Sequence, residues 1–257
     1  MNTDITAHMV VKNEDQWVSR AIQSVLPYVD TFLITDTGSS DNTINLVNSI
    51  KSPKIVFNQT KIKARSDMAK IRTLHIKLTH TPWIWIVDGD EIYPESLVRE
   101  IITATKDSNY QAVVVRRYDL LGDVYHRQVE SVGSYSMFGE TGHLLIRLIN
   151  RSKLKDLEVK GEYPLESYYS GKTCVNDLPK ERVYITKLSL FHAMYLKRSS
   201  LGGNLPMFNR SKYKIETGIK IDGEIPKSLL GLPKRSFLYE LVAHIVTPIK
   251  NLKRKLL

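Results

Sequence analysis

Asp88, Asp90 and Glu91 stand in the stretch WIWIVDGDEIYP, at the abrupt end of the apolar run Trp83, Ile84, Trp85, Ile86, Val87. A run rich in β-branched and aromatic residues reads as a buried strand, and ligands of open α/β sheets bind where such strands end. Strand side chains alternate between faces, so Asp88 and Asp90 are expected to project together, with Gly89 leaving room beside the backbone. Two converging carboxylates repel each other unless a cation lies between them. The fitting chemistry is Mg²⁺ or Mn²⁺ carrying phosphate oxygens. The plain alternative is a loop whose acids face water.

The elements that must position these acids alternate with a regular beat. Strands are expected over residues 7–13, 31–36, 54–58, a segment ending at Asp88, and 111–117. Between them fall helices over 15–26 (Val18, Ala21, Ile22 and Val25 on one face), 41–50 capped by Asp41, about 66–78, and one starting near Pro94. That order implies an α/β fold with a mostly parallel sheet covered on both faces. After residue 117 the beat breaks. Residues 118–141 read as a long polar excursion flanking a site, strands return at 143–150 and 183–193, and 199–233 is rich in Gly, Pro and Ser. We therefore expect one domain over 1–233, with a regular half (1–117) and a less regular half (118–233), and a separate segment over 234–257.

In a parallel sheet the other strand ends reach the same edge as Asp88 and Asp90. The first closes with Lys12, Asn13 and Glu14, the second with Asp36, followed by Thr37, Gly38, Ser39, Ser40 and Asp41. Carboxylates there can accept hydrogen bonds from a base or from ribose hydroxyls, and a glycine turn permits close approach. No GxGxxG follows the first strand and no GxxxxGK[ST] occurs, so the crevice suits a single nucleotide with a metal-bridged diphosphate.

MVVKNE at 9–14, ITDTGSSDNT at 34–43, KARSD at 63–67 and IVDGDE at 86–91 together resemble the family 2 glycosyltransferases of the nucleotide-diphospho-sugar transferase superfamily, over roughly residues 7–100. The DxDE form is similar to a bacterial branch acting on surface glycans or lipopolysaccharide. The resemblance implies a GT-A fold, a nucleotide-diphospho-sugar donor, Mn²⁺ or Mg²⁺, and inversion at the anomeric carbon. It assigns Asn13 and Glu14 to the nucleotide loop, Asp36 to the base, Gly38 and Ser39 to the turn, Asp41 to stabilising it, and Arg65 to the nucleotide or its phosphates. Ser66 stands where the family often has asparagine. Asp88 and Asp90 match the two ends of the DxD motif, with Asp88 also near ribose, and His192 resembles a late histidine that completes the metal site. Beside Phe191 and Met194, His192 equally suits a hydrogen-bonded core. The resemblance places the catalytic base at Glu166, although Leu165 replaces the preceding histidine; Glu162 and Glu140 remain alternatives. Arg147 is a candidate for phosphate or acceptor binding, or an ordinary strand-edge residue.

Of the net charge of +10, about half lies in residues 234–257, where six basic residues face Glu240 alone. That distribution suits an anionic surface and argues against a nucleic-acid groove. From Ser236 onward Phe237, Leu238, Leu241, Val242, Ile245, Val246 and Ile249 recur at helical intervals, with Pro248 expected to kink or end the regular part. The stripe suits an anionic membrane interface, the catalytic domain or a second subunit. One cysteine, no secretory pattern in the first ten residues and no long apolar run fit a cytoplasmic protein, peripheral on the membrane. The expected acceptor is a glycan or glycolipid. Competing functions are a sugar-nucleotide nucleotidyltransferase, which lacks its glycine-rich, lysine-bearing loop here, and a non-catalytic scaffold with the same fold.

Overall fold

The computed structural model describes residues 3–198 and 214–256. The chain order begins β1 (Ile5–Val11), α1 (Val18–Val25), β2 (Thr31–Asp36), α2 (Thr43–Ser49), β3 (Ile55–Gln59), α3 (Asp67–Leu78), β4 (Trp83–Ile86), β5 (Glu91–Ile92) and α4 (Glu95–Lys106). It continues with β6 (Ala112–Leu121), β7 (Asp123–Arg127), β8 (Tyr135–Met137), β9 (Glu140–Gly142), β10 (Leu144–Asn150), β11 (Leu157–Lys160), β12 (Ser167–Ser170) and β13 (Thr173–Cys174). The last elements are β14 (Val183–Tyr195), β15 (Ile219–Lys220) and α5 (Phe237–Leu256).

The central sheet is mostly parallel and flanked by helices. Its ten strands run β15-β7-β6-β10-β4-β1-β2-β3, with β14 joining β6 and β5. The side from β4 to β3 is parallel, as the alternating helices require, and β10 enters antiparallel between β4 and β6. Alternation along β4 divides the core. Trp83, Trp85 and Val87 pack with α1 and α4 on one face, while Ile84 and Ile86 pack with α3 on the other. A one-residue slip of β4 would exchange these sets, so its register is strongly fixed. No helix among the described residues is long and apolar enough to cross a membrane.

Several expected boundaries move. The strand after residue 111 continues to Leu121 and turns back as β7, and 135–142 forms a hairpin, so much of the expected excursion is sheet. Its polar residues misled because Asp119 is polar for a partner inside the sheet. Asp41 precedes the N-cap Asn42 yet still accepts the Thr43 N–H at 3.0 Å. Pro94 is itself the N-cap of α4. α5 runs through Pro248, which lies on an exposed turn where water can satisfy the carbonyl it leaves unpaired. Residues 199–213 of the expected Gly, Pro and Ser-rich connection lie outside the described residues.

Two histidines lie in the core beside α3. His8 Nε2 is 2.6 Å from Thr79 Oγ1 and His75 Nε2 is 2.8 Å from Thr35 Oγ1, with the ring centroids 5.2 Å apart. Burial first, then Arg72, lowers His75 to about 4 from 6.5, and burial with His75 lowers His8 further. Both are therefore neutral in the folded protein. Below pH 6.5 the unfolded chain takes up protons that the fold refuses, so this contribution is complete above 6.5 and lost as pH falls toward 4. For His75 alone the loss reaches about 3 kcal/mol. Urea melts should show wild-type stability falling between pH 6.5 and 4.5 relative to His75→Gln; parallel pH profiles would refute it.

Candidate active site

The first loops are laced together. Asn13, whose φ of 54° places it in the left-handed region, donates its N–H to Ser39 Oγ at 2.8 Å, and its Oδ1 accepts the Ser40 N–H at 2.8 Å. Glu14 donates its N–H to Thr43 Oγ1 at 2.8 Å. Asp36 Oδ1 accepts the N–H groups of Gly38 (2.9 Å) and Ser39 (2.8 Å), and Ser39 Oγ donates to Oδ2. The Asp36 carboxylate thus shapes its own turn, which Gly38 completes at a φ of 101°. Gly89 serves a different need: a Cβ there would lie 3.0 Å from Val11 Cγ2 and 3.3 Å from Glu14 Cγ. Its absence lets the loop after β4 close against the loop after β1. Arg65 is exposed in the turn preceding α3.

Asp88 and Asp90 engage different basic groups. Asp88 Oδ2 accepts from Arg147 Nη2 at 2.6 Å, and Arg72 Nη2 lies 3.9 Å from Oδ1. Arg147 also pairs with the fully buried Glu91, which accepts the Tyr93 hydroxyl at 3.1 Å. Arg147 sits where the β10–β6 register shifts, between Ile146 and Leu148. That bulge turns an arginine inward from a strand otherwise paired regularly. Burial raises Glu91, Arg147 opposes it and Asp88 reinforces it, leaving Glu91 above the ordinary carboxylate value. Burial would raise Asp88 too, but Arg147 and Arg72 hold it below its usual value.

Asp90 belongs to a second group, set by sheet register. In β14, His192 pairs with Asp119 of β6 on one side and Glu91 of β5 on the other. Its Nδ1 is 2.7 Å from Asp119 Oδ1 and its Nε2 is 3.0 Å from Asp90 Oδ2. Burial would lower His192, but Asp90 and Asp119 outweigh it and push it up to about 9. Asp119 also meets Arg117 Nε at 3.0 Å. Arg198 bridges the first loop to this group, with Nε 3.0 Å from Glu14 Oε1 and Nη1 2.5 Å from Asp90 Oδ2. Among the described residues, no three His, Cys, Asp or Glu groups gather as a metal cluster, so Asp88, Asp90 and His192 do not form one. Asp90 and His192 nevertheless fit an ion as a pair. Asp90 Oδ2 is buried against His192 Nε2 and Arg198 Nη1, so an ion held by this pair would take the place of the proton between Asp90 and His192, while Asp119 fixes the far nitrogen of His192 as outer-shell carboxylates do for histidine ligands. Two protein donors are enough where phosphate oxygens and water complete the shell.

The three candidate bases separate. Glu162 is exposed on its loop. Glu140 pairs with Arg116 Nη2 at 2.9 Å. Glu166 joins the Asp88 group: its Oε1 accepts from Arg72 Nε at 3.3 Å, while the buried Oε2 has no partner among the described residues. Arg72, Asp119 and Arg198 were not expected. Arg72 had a readable signal, since it shares the buried stripe of α3 with Met68, His75 and Ile76 at helical spacing.

The model of glycosyl transferase family 2 matches residues 6–159, more than half of the chain. The chain belongs to glycosyl transferase family 2. The matched segment contains both groups around Asp88 and Asp90 except for Glu166, His192 and Arg198, which come from later in this family 2 chain. An uncharacterized glycosyltransferase of Rickettsia felis is 25% identical over 140 residues, covering 54% of this chain and 47% of that protein. The chain thus spans about half the length of the curated relative it matches. Residues 1–349 of S. aureus TarS, solved in complex with UDP-GlcNAc, superpose with a TM-score of 0.55 at 10% identity, covering 80% of this chain and 62% of that one. That likeness establishes the shared fold.

Proposed function

We propose that this protein moves a sugar from a nucleotide-diphospho-sugar to a hydroxyl of a glycan or lipid-linked acceptor, inverting the anomeric carbon. The observation that carries the reading is the meeting, on one sheet edge, of the Asp90–His192–Asp119 array with the Asp88, Arg147, Arg72 and Glu166 group. The UDP-GlcNAc complex of TarS, a chain of the same fold, supports a nucleotide-sugar donor. We assign residues 1–117 to the donor and 118–233 to the acceptor side, with β14 returning His192 to the donor side.

Glu166 Oε2 takes the proton of the acceptor hydroxyl as that oxygen forms a bond to the anomeric carbon. The bond from that carbon to the phosphate oxygen breaks, and its electron pair leaves with the nucleoside diphosphate. Arg147, Arg72 and Arg198 surround the acids with fixed positive charge, which stabilises negative charge developing nearby in a water-poor site. We assign Asn13, Ser39 and the Gly38 turn to the wall of the nucleotide crevice, and Arg65 to the nucleotide or its phosphates. A Mn²⁺ or Mg²⁺ ion held by Asp90 and His192 would supply Lewis-acid charge for the departing diphosphate.

Calorimetric titration with UDP, with Mn²⁺ and after chelation, combined with donor turnover across a glycan and glycolipid panel, tests this reading. We expect chelation to weaken binding by about tenfold or more, each tenfold being about 1.4 kcal/mol. Binding indifferent to chelation would remove the ion from the site. Nucleoside triphosphate turnover without sugar transfer would replace the transferase with a nucleotidyltransferase.

A further inference from the structure

α5 is attached to the protein by its polar side. Arg254 Nη2 lies 2.7 Å from Glu216 Oε1 and its Nη1 donates to Oε2 at 3.0 Å, while Lys250 Nζ lies 3.5 Å from the same carboxylate. The Thr217 N–H donates to Thr247 Oγ1 at 2.9 Å, and the Tyr239 hydroxyl donates to the Lys214 carbonyl at 2.8 Å. Glu216 is 1% exposed and is the hub of the attachment. Ala243 is the one fully buried residue of the described helix.

The apolar side faces outward. Phe237, Leu238, Leu241, Ile245, Ile249 and Leu252 are each half or more exposed. At about 100° per residue these positions fall within one arc of roughly 120°, so they form a continuous stripe over most of the helix. An amphipathic helix packed on its own protein turns such a stripe inward; this one is inverted. Exposed Lys234 lies just before the helix, and Lys253 and Lys255 are exposed near its end. Glu240, the acid within the helix, is paired with Arg235 at 2.7 Å.

We infer that the outer face of α5 binds an anionic phospholipid surface, with the stripe among the headgroups and the lysines on phosphate. Charge selects this occupant over a second copy. Both ends of the stripe are basic, so two copies packed stripe to stripe, parallel or antiparallel, would set lysine against lysine. An anionic interface instead complements the cations at both ends while covering the apolar face. The attachment also orients the site. Glu216 Oε2 accepts from Gln128 Nε2 at 3.4 Å, and the Gln128 N–H donates to the carbonyl of Asp119, the residue that holds His192. A lipid surface bound to α5 is therefore fixed relative to the acceptor-side strands.

Co-sedimentation with phosphatidylcholine vesicles and with vesicles enriched in phosphatidylglycerol tests the inference without any donor or acceptor. We expect binding to the anionic vesicles to be about tenfold or more stronger at low salt, since each cation near such a surface strengthens binding about fivefold. Raising the salt should weaken it. The triple change Leu241→Ser, Ile245→Ser, Ile249→Ser should reduce binding by about tenfold or more with Tm unchanged, because these side chains leave little protein contact to lose. Failure to bind anionic vesicles, or equal binding by the triple variant, would overturn the inference. So would a lipid-free dimer that the triple change dissociates, or a lowered Tm, either of which places protein on the stripe.

Discussion

Replacing Asp90 with alanine should lower kcat/KM for sugar transfer by about 10³-fold, roughly 4 kcal/mol of lost transition-state stabilisation. The size follows from its position. Asp90 Oδ2 lies within 3.0 Å of His192 Nε2 and 2.5 Å of Arg198 Nη1, so one carboxylate joins the late strand, the first loop and the strand end. The fold should survive the change because neither cation is stranded. His192 keeps Asp119, and Arg198 keeps Glu14. The stability cost should thus stay below the about 3–5 kcal/mol expected for abandoning a buried charge. Thermal melts, UDP titrations and initial rates on the same preparation separate the two effects. A variant with native Tm, tenfold or more weaker UDP binding and collapsed turnover fits the assignment; one with wild-type kcat/KM removes Asp90 from the chemistry.

The first half of the fold was legible because parallel strands buried on both faces produce apolar runs, as in Ile5–Val11 and Trp83–Ile86, separated by helices with one apolar stripe. Acids at the ends of such runs stand out by contrast, which is why Asp36, Asp88 and Asp90 could be found. Their partners were hidden for specific reasons. Asp119 is polar within a strand and meets His192 across 73 positions of sequence, so only strand pairing reveals it. Arg147 is legible as a candidate for phosphate or acceptor binding, but its pairing with Asp88 is not, because the register shift that turns it inward leaves no residue signature. The carboxylate of Asp36, expected at the base, also accepts three hydrogen bonds from its own turn, a role that its place at a strand end does not reveal. α5 was legible as a striped helix, but not its inversion, because the decisive contact is Glu216, well before it in the chain. Periodicity names a face; it does not say what that face meets.

Replacing Glu166 with glutamine should reduce kcat by about 10²- to 10⁴-fold with little change in donor KM, the range expected when a positioned proton acceptor is removed. One oxygen of Glu166 is anchored by Arg72 Nε at 3.3 Å, and the other is buried without a partner. That leaves one atom available to receive a proton while the side chain stays oriented. Glutamine preserves the shape and can still accept from Arg72, so the variant tests the proton and leaves the packing in place. The neighbouring acids provide the control. Glu162 is exposed, and Glu140 is held by Arg116 in a separate hairpin, so their glutamine variants should retain kcat within a small factor. Rates should be measured at saturating donor with the acceptor identified by the panel, since a loss confined to acceptor KM would make Glu166 a binding residue. If Glu140→Gln or Glu162→Gln causes the large loss while Glu166→Gln does not, the proton leaves by another carboxylate and the orphaned oxygen has a different task.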